Sequence, residues 1–242
     1  CFGSFVTCLL WRRPKKFSIS GRSQCARCQR LLSWYELIPV FSFLFLLGRC
    51  PTCKKNIPWF FPLIEVAVMA GWLLVWYYSP QLNTPLLIWK FIADVLLVTV
   101  GVYIMVYDLL NSEVDTTVTL GTAGLWLLPV IYFTPEMALN LLVGALAGMS
   151  FFAWQYVLSR GRWIGGGDIV IGILMGSVLG WPLLLISLLI SYIIGALCSL
   201  FLVAIKRKKI ADKTPLGAYL VIGLWATYWF GVPVINWYRS LL

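Results

Sequence analysis

The chain has 242 residues and no histidine. That absence removes His-based nucleophilic triads and imidazole metal ligands together. Carboxylates are scarce as well. There are nine: Glu36, Glu65, Asp94, Asp108, Glu113, Asp115, Glu136, Asp168 and Asp212. Any carboxylate chemistry must come from this short set. Charged residues make up only 12% of the chain, about half the usual share of a soluble domain. No glycine-rich loop of the Rossmann type is present, so no nucleotide-like cofactor site is legible. No secretory signal pattern is visible either. The stretch Cys1 to Trp11 lacks a basic start and a cleavage site. At 1.5 Å per residue it covers roughly 16 Å of a bilayer core about 30 Å thick. It is expected to be the end of a first helix that begins before the sequence given.

What is abundant is hydrocarbon. Hydrophobic residues make up 61% of the chain, and the mean hydropathy is +0.88. The expected fold is an all-α polytopic membrane protein. Apolar runs lie at about 59–78, 86–107, 117–133, 137–158, 168–180, 183–205 and 216–238. The last break but one is inferred from length. Residues 169–205 as one helix would be about 55 Å long, too long for a single crossing, and Gly180-Trp181-Pro182 divides them. With the first helix this gives about eight spans.

One long segment, 12–57, is polar. It carries ten Lys and Arg residues against the single acid Glu36. Placing it in the cytoplasm and alternating the spans puts every Lys and Arg except Lys90 and Arg239 in inside segments. Agreement with the positive-inside rule fixes the expected orientation. The net charge of +10 is thereby explained by orientation and by anionic cytoplasmic lipid, and no nucleic-acid partner is required.

Within 12–57, Cys25, Cys28, Cys50 and Cys53 follow the spacing C-x2-C-x21-C-x2-C. Paired Cys-x-x-Cys units at this separation are a four-thiolate zinc pattern, close to a zinc ribbon, and a closed four-thiolate site is structural. The alternative is four free, reduced thiols. Residues 37–47 are apolar but too short to span, and are expected to be interfacial or packed between the two cysteine pairs. The expected domains are 1–11, the end of the first transmembrane helix; 12–57, a cytoplasmic tetracysteine insertion; and 58–242, the membrane core.

Gly165-Gly166-Gly167-Asp168 runs three glycines into an acid that opens an apolar helix. An acid beside hydrocarbon marks a functional site by default. Its plainer reading is a helix N-cap. The topology puts Asp108 at the cytoplasmic end of another helix. Two acids far apart in sequence thus share a membrane depth. Without His or metal, such a pair suggests aspartic-protease chemistry, one carboxyl acting as base and the other as acid. Asp108 also reads as an interfacial loop acid, and Glu113 or Asp115 could take its place. Asp94 lies four residues after Lys90, which favours an intrahelical ion pair. Glu65 sits inside an apolar span with no base near it in sequence. It has either a partner on another element or a polar role within the bundle. Gly144-Ala145-Leu146-Ala147-Gly148 is a small-xxx-small helix-packing pattern.

Taken together, these residues resemble the prepilin leader peptidases, the GxGD aspartic proteases of type IV pilus, type II secretion and competence systems. The likeness covers essentially the whole chain. Gly3-Ser4-Phe5, the two cysteine pairs, Trp34 to Pro39 between them, Gly48-Arg49, and Pro62-Leu63-Ile64-Glu65 follow the family's order. Tyr107-Asp108 resembles its first catalytic aspartate, Gly165 to Asp168 its GxGD element, and Thr214-Pro215-Leu216-Gly217 a late Pro-x-Gly element. Presenilins and signal peptide peptidases share GxGD, but the tetracysteine insertion is specific. One departure is Glu113-Val114-Asp115, which lacks the proline that family members often carry there. The resemblance implies a multi-pass enzyme of the bacterial inner membrane, with Asp108 and Asp168 catalytic and Gly165, Gly166 and Gly167 forming the active-site loop. It implies cleavage of type IV prepilins or pseudopilins after glycine at the cytoplasmic face. It also implies N-methylation of the new terminus with S-adenosylmethionine, for which Glu65 is the candidate residue. Rival readings are a zinc-stabilised membrane scaffold, a transporter with intramembrane acids, and a GxGD protease of another substrate class.

Overall fold

The structure, a computed structural model, describes residues 2–13, 21–25, 27–79, 83–205 and 215–240. Lys15, Lys16, Pro80, the basic run 206–213 and Thr214 lie outside the described residues. Among those described, the regular structure is helical: α1 (Phe2–Arg12), α2 (Phe41–Phe45), α3 (Phe60–Tyr78), α4 (Pro85–Asn111), α5 (Thr116–Phe133), α6 (Pro135–Ser159), α7 (Gly166–Ala204) and α8 (Leu216–Arg239). Six of these, α3 to α8, are long and apolar enough to cross a membrane. This is the all-α polytopic architecture expected, and the helix bounds follow the apolar runs closely. The chain divides into two compact units, residues 1–103 and 104–242, with the boundary inside α4.

In the first unit α1 packs on α3. The approach is close because Gly3 has no side chain: a Cβ there would lie 2.8 Å from Glu65 Cα. Trp72 on α3 donates from Nε1 to Thr99 Oγ1 on α4 at 3.0 Å. Lys90 and Asp94 form the expected intrahelical ion pair, at 2.9 Å. The apolar segment 37–47 begins at the end of a 3-10 turn, Trp34–Leu37, and its only helix is the short α2, Phe41–Phe45. Its Phe45 and Leu47 are 84% and 85% exposed.

In the second unit α6, α7 and α8 form the centre. The 39 residues of α7 are two helical arms joined at Gly180, which leaves helical geometry at φ 74°, ψ 176°. Only glycine adopts that conformation without strain. The chain reverses there. Gly172, before the break, packs on Gly148 of α6. Tyr192, after the break, meets Phe151 and donates to Gln155 at 3.1 Å, both within two turns of Gly148. A continuous helix would hold residues 172 and 192 about 30 Å apart. So α7 supplies two of the expected spans, and the returning arm then pairs with α8, where Gly223 abuts Ser191 and Gly195 abuts Tyr219.

The small-residue pattern on α6 has its partner in the first arm of α7. Gly144 faces Gly176, and Gly148 faces Gly172, backbone against backbone. The two helices interlock because four side chains are missing, which is how helices gain contact where lipid offers no hydrophobic drive.

Candidate functional site

Asp168 opens the first arm of α7. The sequence allowed it as the N-cap, but Gly165 holds that place and Asp168 is the third helical residue. Its Oδ2 reaches back to accept the Gly165 N–H at 2.9 Å. This is the acidic half of a capping box, and Gly165 has no side chain to return the bond. The helix start is thus built around a carboxylate that is only 8% exposed.

Asp108 differs from its plainer reading as a loop acid. The apolar run stops at Tyr107, yet α4 continues to Asn111, so Asp108 belongs to the helix and is 6% exposed. Its Oδ2 accepts the Ala218 N–H at 3.1 Å. Ala218 lies in the first turn of α8, where N–H groups have no intrahelical partner. Both carboxylates are therefore held at helix N-termini, where the backbone dipoles favour negative charge. The two alternatives for Asp108 are used or displaced: Glu113 is exposed, and Asp115 caps α5 by accepting the Val118 N–H at 3.3 Å.

Two glycines bring Asp108 and Asp168 into one neighbourhood. A Cβ on Gly217 would lie 2.8 Å from Asp108 Oδ2 and 2.9 Å from Ile171 Cδ1, one turn beyond Asp168. A Cβ on Gly167 would lie 2.6 Å from Val114 Cβ, in the connection that follows Asp108. Of the late element, Pro215-Leu216-Gly217 was visible in sequence, but its role as the wall against Asp108 was not. Gly166 has open space where a side chain would sit.

The four cysteines form a second cluster, in the first unit. Each pair makes the same turn. Gln29 N–H donates to Cys25 O at 3.0 Å, and Lys54 N–H donates to Cys50 O at 2.9 Å. Gln29 and Lys54 both take positive φ, 56° and 55°. Each turn is closed by one antiparallel bridge, Gln24 with Leu31 and Arg49 with Asn56. The four Sγ atoms lie within 4.8 Å of one another. A tetrahedral four-thiolate ion with bonds of about 2.3 Å sets its sulfurs about 3.8 Å apart. Cys25 and Cys53 are already at 4.0 Å, so the thiols fit such an ion with little movement. Their electrostatics suit it as well. Backbone N–H groups of Cys53 and Thr52 and the Arg30 guanidinium draw the Cys50 thiol down to about 6. Against the pull of the Arg30 N–H, desolvation and the neighbouring sulfurs push Cys28 up to about 11. A metal takes its cysteine ligands as thiolates, and Cys50 is already drawn towards that form. Arg30 also binds Glu36, and Glu36 accepts the Ser33 N–H at 2.8 Å. The lone acid of the basic segment is thus spent on holding the first cysteine turn.

Glu65 has the partner the sequence left open. Its Oε2 accepts the Val40 N–H at 2.8 Å. Val40 takes φ 63°, a conformation costly for a β-branched residue. Glu65 borders a cavity of about 200 Å³ in the first unit. The sequence offered no sign of that cavity, because its walls come from α1, the cysteine turns, α2 and α3.

Two family models match the chain. The bacterial peptidase A24 N-terminal domain covers residues 1–79, and the type IV leader peptidase family covers residues 95–200. Proteins named prepilin leader peptidase/N-methyltransferase are similar along most of their length. That of Bacillus subtilis (strain 168) is 29% identical over an alignment of 254 positions that covers 99% of this chain and 94% of the relative. That of Legionella pneumophila is 30% identical over 228 residues, 90% of this chain and 75% of the relative. That of Pseudomonas putida is 29% identical over 220 residues, 86% of this chain and 72% of the relative. No solved structure matches.

Proposed function

Because the chain belongs to the type IV prepilin leader peptidase family, we propose that Asp108 and Asp168 are the catalytic pair of a membrane-embedded aspartic endopeptidase. The observation that carries this is their shared design: two buried carboxylates in one unit, each fixed by a backbone N–H at a helix start. One carboxylate takes a proton from water as its oxygen attacks the peptide carbonyl. The other gives a proton to the departing nitrogen as the C–N bond breaks. Gly165, Gly166 and Gly167 form the active-site loop, in which the open space at Gly166 leaves room for an extended backbone near Asp168. The substrate is a prepilin or pseudopilin with a basic leader, cleaved after glycine at the cytoplasmic face of the inner membrane. The positive-inside distribution of charge supports that side. Enzyme and leader are both basic, so anionic lipid is the surface on which they meet.

The same chain N-methylates the new terminus. S-adenosylmethionine supplies an electrophilic methyl: the carbon–sulfur bond breaks as the carbon–nitrogen bond forms, a neutral thioether leaves, and the amine releases a proton. Glu65 is the residue we assign to this reaction. Residues 12–57 hold a structural zinc ion on Cys25, Cys28, Cys50 and Cys53, and residues 58–242 form the membrane core. The test is cleavage of a purified prepilin. Asp108→Asn and Asp168→Asn each lower the rate by about 10³-fold, and Gly217→Ala lowers it by about 10- to 100-fold by displacing Asp108. Cleavage at the wild-type rate by either Asn variant would make the pair structural.

A further inference from the structure

Between the two cysteine pairs, helix α2 has two faces. Phe43 and Leu46 turn inward and line the cavity of the first unit. Phe41, Leu44 and Phe45, at i, i+3 and i+4, form an outward face. All three are exposed, as is Leu47 just beyond. The 3-10 turn packed against α2 adds exposed Trp34 and Tyr35. A surface in water seldom gathers so many large apolar side chains in one short stretch. The level of this surface is set by α3. The Val40 N–H, at the start of α2, is bonded to Glu65, and Phe43 and Leu46 share the cavity with Phe61 and Pro62. So α2 lies beside the first two turns of α3. The 19 residues of α3 cover about 28 Å, nearly the whole hydrocarbon core of a bilayer. Its first turns therefore stand where the core begins. Charge points the same way. Arg49, Lys54 and Lys55 are exposed and follow Leu47 closely, while Glu36, the one acid of the insertion, is buried against Arg30.

We propose that the outward face of α2, with Trp34, Tyr35 and Leu47, is a docking surface for the anionic phospholipid leaflet at which α3 begins. The tetracysteine insertion is seated in that interface by an apolar wedge and does not stand free in water between α1 and α3. Docking of this kind goes beyond the proposed function and holds whether or not the chain cleaves a prepilin or methylates it. The chemistry fits such a leaflet. A helix too short to span, with aromatic neighbours, belongs at the boundary of headgroups and acyl chains. Phe45 and Leu47 reach the acyl chains, while Arg49 and Lys54 meet phosphate. Charge also decides between occupants. A second copy would bring the same positive excess to the face, and so would the basic leader of the proposed substrate. An anionic leaflet brings the opposite sign. Docking also has a structural use. Val40 takes a strained φ of 63° to start α2, and moving the outward face from water into lipid offsets that cost.

The experiment places the photoreactive residue p-benzoylphenylalanine at Phe45, at Leu47 and, as a control, at Lys54, one position at a time in the full chain. All three side chains are exposed, so the replacements disturb no packing. Each variant is irradiated in nanodiscs holding equal amounts of phosphatidylglycerol and phosphatidylcholine, and the adducts are identified by mass. Lipid adducts are expected at Phe45 and Leu47 and few at Lys54. Phosphatidylglycerol adducts exceed phosphatidylcholine adducts by about fivefold, the scale of one basic residue at an anionic surface. Arg49→Gln combined with Lys54→Gln brings the two yields together. Absence of lipid adducts at Phe45 and Leu47 would overturn the proposal. So would adducts there mainly to a second copy, or to a prepilin added in excess. Equal yields from the two lipids without the Gln substitutions would overturn the anionic leaflet as the partner. Hydrogen exchange in the unmodified chain is independent of any variant. Amides of 34–47 exchange about fivefold more slowly in phosphatidylglycerol nanodiscs than in phosphatidylcholine nanodiscs, and equal rates would overturn the proposal.

Discussion

At the scale of the residue, the carboxylates divide by what holds them. Asp94 is answered by Lys90 on its own helix, a spacing that any helical reading finds. Asp108, Asp168 and Glu65 are answered by backbone N–H groups, and two of these donors lie far away in sequence. Glu36 loses solvation on burial, but Arg30 and the Ser33 N–H outweigh that loss and hold its carboxyl below the ordinary value of 4.5. A depressed carboxylate contributes stability that is full above the unfolded value and is lost as pH falls through the folded one. The gap in thermal stability between wild type and Glu36→Gln is therefore expected to be constant above pH 4.5 and to close in more acid solution. Unfolding temperatures measured as pH is lowered check this. A gap that persists in acid would mean that Glu36 acts by shape alone.

At the scale of the element, the decisive feature is the glycine contact between α6 and the first arm of α7. Sequence spacing found the α6 half, Gly144 and Gly148, as a packing face. It could not name the partner: Gly172 and Gly176 repeat the same four-residue spacing, but spacing alone does not say which two such faces meet. A side chain on Gly172 would meet Phe152 Cδ2 at 2.5 Å and Gly148 O at 2.7 Å, with no flexible end to yield. Gly172→Leu is expected to cost about 1–3 kcal/mol and, because this arm begins at Asp168, to reduce cleavage as well. Thermal unfolding in micelles together with a cleavage assay tests both, and an unchanged melting temperature would disprove the close packing. The end of α4 was illegible for a different reason. The apolar pattern stopped at Tyr107 because an acid followed, but helical hydrogen bonds continue because α8 supplies that acid with a donor.

At the scale of the whole molecule, composition and charge carry most of the reading. A chain so poor in charge and rich in apolar runs has to bury its backbone polar groups in helices, and the distribution of Lys and Arg is the basis of the orientation proposed above. This orientation predicts that single cysteines introduced at Glu113 and Gly166, in a variant lacking Cys1, Cys8 and Cys198, react with a membrane-impermeant maleimide only when the inner face is opened. Labelling of intact cells from outside would reverse the topology. The two candidate sites also draw on separate units, the aspartate pair on residues 104–242 and the Glu65 cavity on residues 1–103, which is why variants in one are useful controls for the other.

The sequence by itself determined the helical membrane architecture, the cysteine cluster and the acids available for chemistry. Each follows from local rules: hydrophobic run length against bilayer thickness, thiol spacing within a turn, and the cost of an acid beside hydrocarbon. Only the tertiary structure decided that Gly217 and Ala218 wall and fix Asp108, and that Glu65 faces a cavity while bonding Val40. Those facts depend on which surfaces meet across long stretches of chain, and a bond between a carboxylate and a distant N–H leaves no periodic trace in the sequence.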